Sequence, residues 1–244
     1  MGKIIYGDNM DALANLPAGC ANLIYIDPPF NTGKTQKRDA LQYSDKYENF
    51  EDFLMPRVEA SLKCLTPDGS IFIHLDWREV HYIKVAMDRL LGRECFMNEI
   101  VWAYDYGGRS KSKWSAKHDT ILWYALDPKN YTFNYDAMDR IPYMAPGLVG
   151  KEKEARGKTP TDVWWHTIVP TNGKEKTGYP TQKPLGVLRR IISVHTNPED
   201  TVLDFFAGSG TTGEAAAQLG RDFILVDANK DAIHVMDKRL SAYL

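Results

Sequence analysis

The sequence predicts an α/β fold with a doubly wound, mostly parallel sheet, and three observations carry that prediction. Short apolar runs at 3–6, 23–26, 70–75, 201–205 and 222–226 are bounded by breakers, as buried parallel strands are. Helical spacing fills the intervals between these runs at both ends of the chain. Two of the runs end in an acid followed by special backbone, Asp27-Pro28-Pro29 and Asp204 to Gly210. Open α/β sheets place their ligands at the carboxyl ends of such strands.

In chain order, strand 3–6 leads through Gly7-Asp8-Asn9 into a helix over about 10–16. Strand 23–26 follows, then a polar loop over 32–46 carrying Lys34, Lys37 and Arg38. Phe50, Phe53, Leu54, Val58, Leu62 and Leu65 fall at helical spacing, and Thr66-Pro67-Asp68-Gly69 ends that helix. Strand 70–75 ends in Asp76, and a helix over about 78–91 closes at Gly92. Strands at 98–104 and 120–126 flank a Gly/Lys/Ser-rich loop at 107–117. From 127 to 177 the periodic signal fades, and so long an irregular segment marks a functional loop or an inserted subdomain. A helix then runs from Pro184 to about His195, and strand 201–205, helix 213–219, strand 222–226 and helix 228–240 complete the chain.

A length of 244 residues suits one α/β domain with an insertion. Apolar content of 43% and charged content of 25% are ordinary for a soluble protein. Apolar stretches fall short of the roughly 20 residues that span a bilayer, and the N-terminus has no signal pattern. Cys20, Cys64 and Cys95 are widely spaced and fit a reducing compartment, so a cytoplasmic protein without disulfides is expected. The net charge of −2 is unevenly spread: 101–190 carries +6 and the remainder −8. A basic middle between acidic flanks fits one part that handles phosphates and another that handles a cationic or hydroxyl-rich ligand.

In Asp27-Pro28-Pro29-Phe30 the prolines fix φ and donate no hydrogen bond. A carboxylate, bare carbonyls and an aromatic face are thus held in fixed relation, a surface for a flat ring bearing an exocyclic amine. Gly208-Ser209-Gly210-Thr211-Thr212-Gly213 satisfies G-x-G-x-x-G between a strand and a helix, and Asp227 lies 19 residues after Gly208. Glycines admit a ligand close to the backbone, the helix start offers free N–H groups, and the acid accepts ribose hydroxyls. No lysine follows the last glycine, which argues against a phosphate P-loop. Only 31 residues follow Gly213, too few for the second half of a dinucleotide fold. A nucleoside-containing cofactor fits.

These two stretches, with Gly178-Tyr179-Pro180-Thr181-Gln182-Lys183-Pro184 between them, resemble the β-class of S-adenosylmethionine-dependent DNA amino-methyltransferases. That class carries D-P-P-[YF] first, a target-recognition region in the middle and F-x-G-x-G last. Asp27 to Phe30 match the first motif, Phe206, Gly208 and Gly210 the last, and Pro180 to Pro184 a P-T-Q-K-P motif. The resemblance covers essentially the whole chain and implies a permuted Rossmann-like fold. Phe205 stands where the family commonly has proline, and Tyr179 where many members have His. Residues 1–126 and 178–244 would form the catalytic domain, and 127–177 the recognition region, with loop 105–118 also facing DNA. The recognition segment is short, which raises the question of a specificity partner or cognate restriction endonuclease. Dimers are common in the class, so a homodimer is an expectation from resemblance alone.

The resemblance implies transfer of a methyl group from S-adenosylmethionine to the N6 amine of an adenine flipped out of DNA. Asp27 and the Pro28 carbonyl would accept hydrogen bonds from the amine, Pro29 would stiffen the turn and Phe30 would stack on the base. No metal is called for. Asp27, Phe206, Gly208, Ser209, Gly210, Thr211, Thr212 and Asp227 are the cofactor candidates. Lys183 is the candidate for the cofactor's carboxylate and Asp8 for its adenine amine, although Asp8 also reads as a helix N-cap. For DNA the candidates are Lys34, Lys37, Arg38, Arg109, Lys111, Lys113, Lys117, Lys151, Lys153, Arg156 and Lys158. Trp102, Trp114, Trp123, Trp164 and Trp165 stand among these cations, although an apolar strand makes Trp123 a core residue. In the family Asp at the first motif position favours adenine and Ser favours cytosine. The alternatives are N4-cytosine methylation, or a silent DNA-binding partner subunit, which would be expected to have lost Asp27 or the glycine loop.

Overall fold

The structure is a computed structural model that describes residues 2–38, 41–170 and 172–244, with the side chains of 34–38 and 41–44 outside the description. The strands are β1 (Gly2–Tyr6), β2 (Ala21–Ile26), β3 (Lys34–Arg38), β4 (Leu41–Asp45), β5 (Leu65–Leu75), β6 (Phe96–Ala103), β7 (His118–Ala125), β8 (Val163–Trp165), β9 (Thr201–Asp204) and β10 (Asp222–Asp227). The helices are α1 (Asn9–Asn15), α2 (Phe50–Leu62), α3 (Val80–Leu91), α4 (Lys151–Arg156), α5 (Leu185–His195), α6 (Thr211–Gln218) and α7 (Lys230–Leu240).

Eight strands form one sheet in the order β1-β10-β9-β2-β5-β7-β6-β8. β7 is antiparallel to both β5 and β6, and the other pairings are parallel. The order explains where a ligand sits. From β9 the chain crosses through α6 to β10 on one side; from β2 it crosses through α2 to β5 on the other. β2 and β9 pair through Leu23–Val202 and Ile24–Leu203, so the topological switch point, with its crevice, lies at their carboxyl ends.

Alternation along β2 sends its side chains to opposite faces. Ile24 and Ile26 join Leu13, Leu54, Val58, Ile83 and Met87 from α1, α2 and α3 in one core. Leu23 and Tyr25 join Leu188, Ile191, Ala215, Ala216 and Met236 from α5, α6 and α7 in the other. The result is three layers, helix on sheet on helix. Leu188 and Ile191 are fully buried, and each such side chain contributes about 1.5–3 kcal/mol of transfer free energy.

Three expectations change. The polar loop over 32–46 contains an antiparallel hairpin, β3 paired with β4 from Lys34–Asp45 to Arg38–Leu41. β3, Lys-Thr-Gln-Lys-Arg, is polar throughout, and the alternation of Leu41 and Tyr43 in β4 is too short to mark a half-buried strand by itself. Gly33 N–H bonds the Asp45 carbonyl at 2.9 Å, and the Thr32 hydroxyl donates to the Asp45 carboxylate, which closes the hairpin base. Within 127–177, Val163–Trp165 forms a strand beside β6 and extends the main sheet. The strand at 70–75 begins earlier, at Leu65, because Ala21 pairs with Leu65 before a register shift. Among the described residues no helix is long and apolar enough to cross a membrane.

Candidate active site

Asp27 follows the last residue of β2, with the buried Pro28 behind it. The turn is pinned by Asn31, whose φ of 53° lies in the left-handed region that asparagine tolerates. Asn31 Nδ2 donates to Glu79 Oε1 at 2.8 Å, and Tyr47 N–H donates to Asn31 Oδ1 at 2.9 Å. Both carboxylate oxygens of Asp27 accept from Lys183 Nζ, at 2.7 and 2.6 Å. That ammonium also lies 4.7 Å from the centre of the Phe30 ring. Lys183, a candidate for the carboxylate of a cofactor, is therefore bound to a carboxylate of the protein itself.

Asp27 and Pro29 line a cavity of 380 Å³ that runs across the strand ends to Asp227 and Asn229. Phe206, Gly208, Ser209, Thr211 and Thr212 line it too, so most of the glycine-loop candidates are brought together there. Gly208 and Gly210 have φ of 49° and 73°, conformations that L side chains adopt at a cost. A Cβ on Gly208 would stand 3.2 Å from the ring of Tyr179, and one on Gly210 would press on Met236 at 2.8 Å. Gly210 is the N-cap of α6. Asp227 accepts from Gly208 N–H and Asn229 N–H, each at 2.8 Å. Burial pushes its carboxyl up, and those two N–H bonds oppose the shift. β10 and β2 are separated by β9 alone, so Asp227 and Asp27 stand about 10 Å apart, two strand spacings.

Asp204 is a third carboxylate on this cavity and received no role from the sequence. It accepts from Thr212 Oγ1 at 2.6 Å and Phe206 N–H at 2.9 Å. Burial pushes its carboxyl up to about 7, with Asp27 and Asp227 adding to the rise and the two hydrogen bonds opposing it. Three carboxylates around one cavity suit a cationic or hydroxyl-rich ligand.

Beneath Asp27 lies a buried polar chain that the sequence did not announce. Tyr25 hydroxyl is 2.7 Å from His74 Nδ1, His74 Nε2 is 3.1 Å from Asp119 Oδ2, and Tyr104 hydroxyl donates to Asp119 Oδ1 at 2.9 Å. Burial works to raise the Asp119 carboxyl. The His74 hydrogen bond and charge, Lys183 and the Tyr104 hydroxyl together hold it below the usual carboxylate range. With Nε2–H turned to Asp119, Nδ1 is left facing the Tyr25 hydroxyl. The His74 ring also packs on Phe30, centroids 5.9 Å apart. The signal available in sequence was alternation: Tyr25 and His74 each stand two residues before a strand-end acid and so share its face.

The remaining candidates lie elsewhere. Asp8 caps α1, accepting from Met10 N–H at 2.8 Å, and is not part of the cavity wall. Asp76 accepts from Arg78 N–H at 2.9 Å in a cap-like turn. Arg109, Lys111, Lys113 and Lys117 lie on the loop between β6 and β7, where Arg109 pairs with Asp105 and Lys117 donates to the Tyr106 carbonyl. Lys113 reaches over Trp77, 5.7 Å from its ring centre, and Arg78 does so at 5.0 Å. Trp114 is 99% exposed and Trp165 76% exposed, whereas Trp102, Trp123 and Trp164 are core residues. The aromatic richness of the middle region is thus largely packing. Lys151, Lys153 and Arg156 are exposed on α4, and Lys158 follows beside Ile141 in an isolated bridge. The side chains of Lys34, Lys37 and Arg38 lie outside the description.

A family model described as DNA methylase, of N6/N4 type, matches residues 21–238. The chain is 34% identical to the DNA adenine methyltransferase YhdJ of Escherichia coli K12, across 97% of this chain and 82% of that protein. It is 33% identical to the type II methyltransferase M.HpaI of Haemophilus parainfluenzae, across 98% and 74%. Among solved structures, that of the M1.HpyAVI–SAM complex superposes with a TM-score of 0.68 at 25% identity, covering 98% of this chain and all of that one. The cytosine-N4-specific PvuII DNA methyltransferase superposes at 0.72 with 18% identity, over 100% of this chain and 86% of that one, a likeness of fold.

Proposed function

Since this chain belongs to the N6/N4 family of DNA methylases, we propose that it methylates the exocyclic N6 of an adenine flipped out of DNA, with S-adenosylmethionine as donor. The observation that carries the reading is Asp27: a carboxylate at the switch point, beside an aromatic face and on the wall of a cavity that ends at Asp227. The named adenine methyltransferase among the relatives supports adenine as the base.

The residues around the cavity fit the donor. Asp227, held by the N–H groups of Gly208 and Asn229, suits a ribose, and a Cβ at Gly208 would crowd the Tyr179 ring at 3.2 Å. Asp27 and Asp204 line the stretch of the cavity between the glycine loop and the Phe30 side, where the methionine part of the donor would lie. When bound, the donor supplies an electrophilic methyl group on positively charged sulfur. About 10 Å of separation between Asp227 and Asp27 leaves room for ribose at one acid and the transferring methyl at the other.

The nucleophile is an aromatic amine whose lone pair is conjugated into its ring. Asp27 and the Pro28 carbonyl accept its two N–H bonds and favour a more tetrahedral nitrogen, while Phe30 stacks on the base. With the methyl group delivered by the donor, whose sulfur would keep the bonding pair, the surplus N–H proton would pass to the Asp27 carboxylate. Orientation and fixed dipoles supply the acceleration. A base within a duplex cannot reach this geometry, so it is flipped out at a cost of a few kcal/mol. In this reading 127–177 and the loop bearing Arg109, Lys111, Lys113, Trp114 and Lys117 face the DNA, with Lys151, Lys153, Arg156 and Lys158 on the phosphates.

The test is incubation with methyl-labelled S-adenosylmethionine and unmethylated genomic DNA, followed by digestion to nucleosides. Label is expected in N6-methyldeoxyadenosine. Label in N4-methyldeoxycytidine overturns the choice of base, and a protein that neither binds S-adenosylhomocysteine nor transfers label overturns the reaction.

A further inference from the structure

Lys183 occupies the place that the proposed reaction reserves for the target amine. Its ammonium takes both oxygens of Asp27, at 2.7 and 2.6 Å, and stands 4.7 Å above the centre of the ring on which the base would stack. The pair is well shielded: the Lys183 side chain is 10% exposed and that of Asp27 18%. An amine and an ammonium are both N–H donors, so Lys183 satisfies Asp27 as the substrate would, and the two compete for the same carboxylate beside the same ring.

The surroundings say what can release it. The Lys183 backbone is tied to the glycine loop, because its carbonyl accepts from Thr211 Oγ1 at 3.1 Å, so release is a movement of the flexible four-carbon stem. A cation this shielded is costly to leave unpaired, so it exchanges most readily onto another anion. The neighbouring acids already have donors, Asp204 from Thr212 and Phe206 and Asp227 from Gly208 and Asn229. Lys183 itself lines the 380 Å³ cavity, so the anion that can reach it is one carried by the ligand there. We infer that Lys183 is an exchangeable occupant of the amine subsite, which moves from Asp27 to the carboxylate of the cofactor's methionine part and thereby makes capture of the target amine conditional on cofactor. The inference rests on the proposed function and adds to it a coupling between the two subsites.

The test compares two ligands that differ in the amino-acid tail: S-adenosylhomocysteine, which has the carboxylate, and 5′-methylthioadenosine, which lacks it. Fluorescence anisotropy gives the affinity for two duplexes bearing the recognition sequence, obtained by mapping methylated positions. One duplex carries adenine at the target and the other purine, which lacks the exocyclic amine. The adenine-to-purine affinity ratio reports the amine contact, and unpairing costs cancel when the ratio is compared between saturating ligands. With wild-type protein the ratio should be several-fold higher with S-adenosylhomocysteine than with 5′-methylthioadenosine. Lys183→Met should show the high ratio with either ligand. Equal ratios with both ligands in wild type overturn the exchange, a result that needs no variant, as does a Lys183→Met protein that still requires the tail. A preference for adenine that is present but insensitive to the tail sinks the exchange alone. No preference in any arm removes the amine grip of the proposed function as well.

Discussion

The hydroxyl of Tyr25 lies 2.7 Å from Nδ1 of His74, and this contact joins the strand that leads into Asp27 to the strand that leads into Asp76. His74 is fully buried and answers Asp119 with its other nitrogen at 3.1 Å. One imidazole therefore satisfies a tyrosine and a buried carboxylate and also backs the Phe30 ring.

His74→Ala should accordingly be costly. It leaves Asp119 charged and poorly compensated and Tyr25 without its buried partner, and removal of one partner from a buried pair destabilises by about 3–5 kcal/mol. Urea unfolding measures this. A loss below about 1 kcal/mol would place His74 in the range of an ordinary surface change.

Asp204 gives a pH prediction. Its carboxyl is raised from 3.8 to about 7 in the folded protein, so between those values the folded state holds a proton that the unfolded state has released. Stability contributed by this group is full below about pH 4, falls as pH rises through about 7, and changes little above that. Asp204→Asn keeps acceptor and donor capacity toward Phe206 and Thr212 but does not titrate. Its stability relative to wild type should increase from pH 4 to pH 7 and then level off, as followed by denaturant unfolding at each pH. A difference independent of pH would contradict the shift.

Trp114 separates folding from DNA binding. It is 99% exposed, so Trp114→Ala should leave stability within about 0.5 kcal/mol. If the loop faces DNA, loss of one aromatic platform should weaken binding by about tenfold. Lys113→Ala should lower the slope of log affinity against log salt by about 1 for one phosphate contact. Anisotropy titrations across salt concentrations check both, and unchanged affinity in both variants would place the DNA elsewhere.

What could be read from the chain follows from how local each feature is. Asp27 to Phe30 and Gly208 to Gly213 are contiguous patterns at strand ends, so composition and spacing reveal them together with the parallel sheet. The chain from Tyr25 through His74 to Asp119 joins residues 49 and 45 apart, and Lys183 meets Asp27 across 156. Such contacts depend on strand order, which periodicity does not encode. The hairpin of β3 and β4 was hidden by the wholly polar β3 and the shortness of the alternation in β4, and β8 by having three residues. Trp102, Trp123 and Trp164 sit among basic residues in sequence but in the core in space, because strands alternate faces whatever charges flank them.

In the proposed reaction the Asp27 carboxylate grips the reacting amine without being needed to hold the cofactor. Single-turnover methyl transfer and S-adenosylhomocysteine affinity, measured side by side in wild type and Asp27→Ala, test it most directly. Transfer should fall by about 10²–10³-fold, with affinity retained. Transfer at the wild-type rate in Asp27→Ala would contradict it.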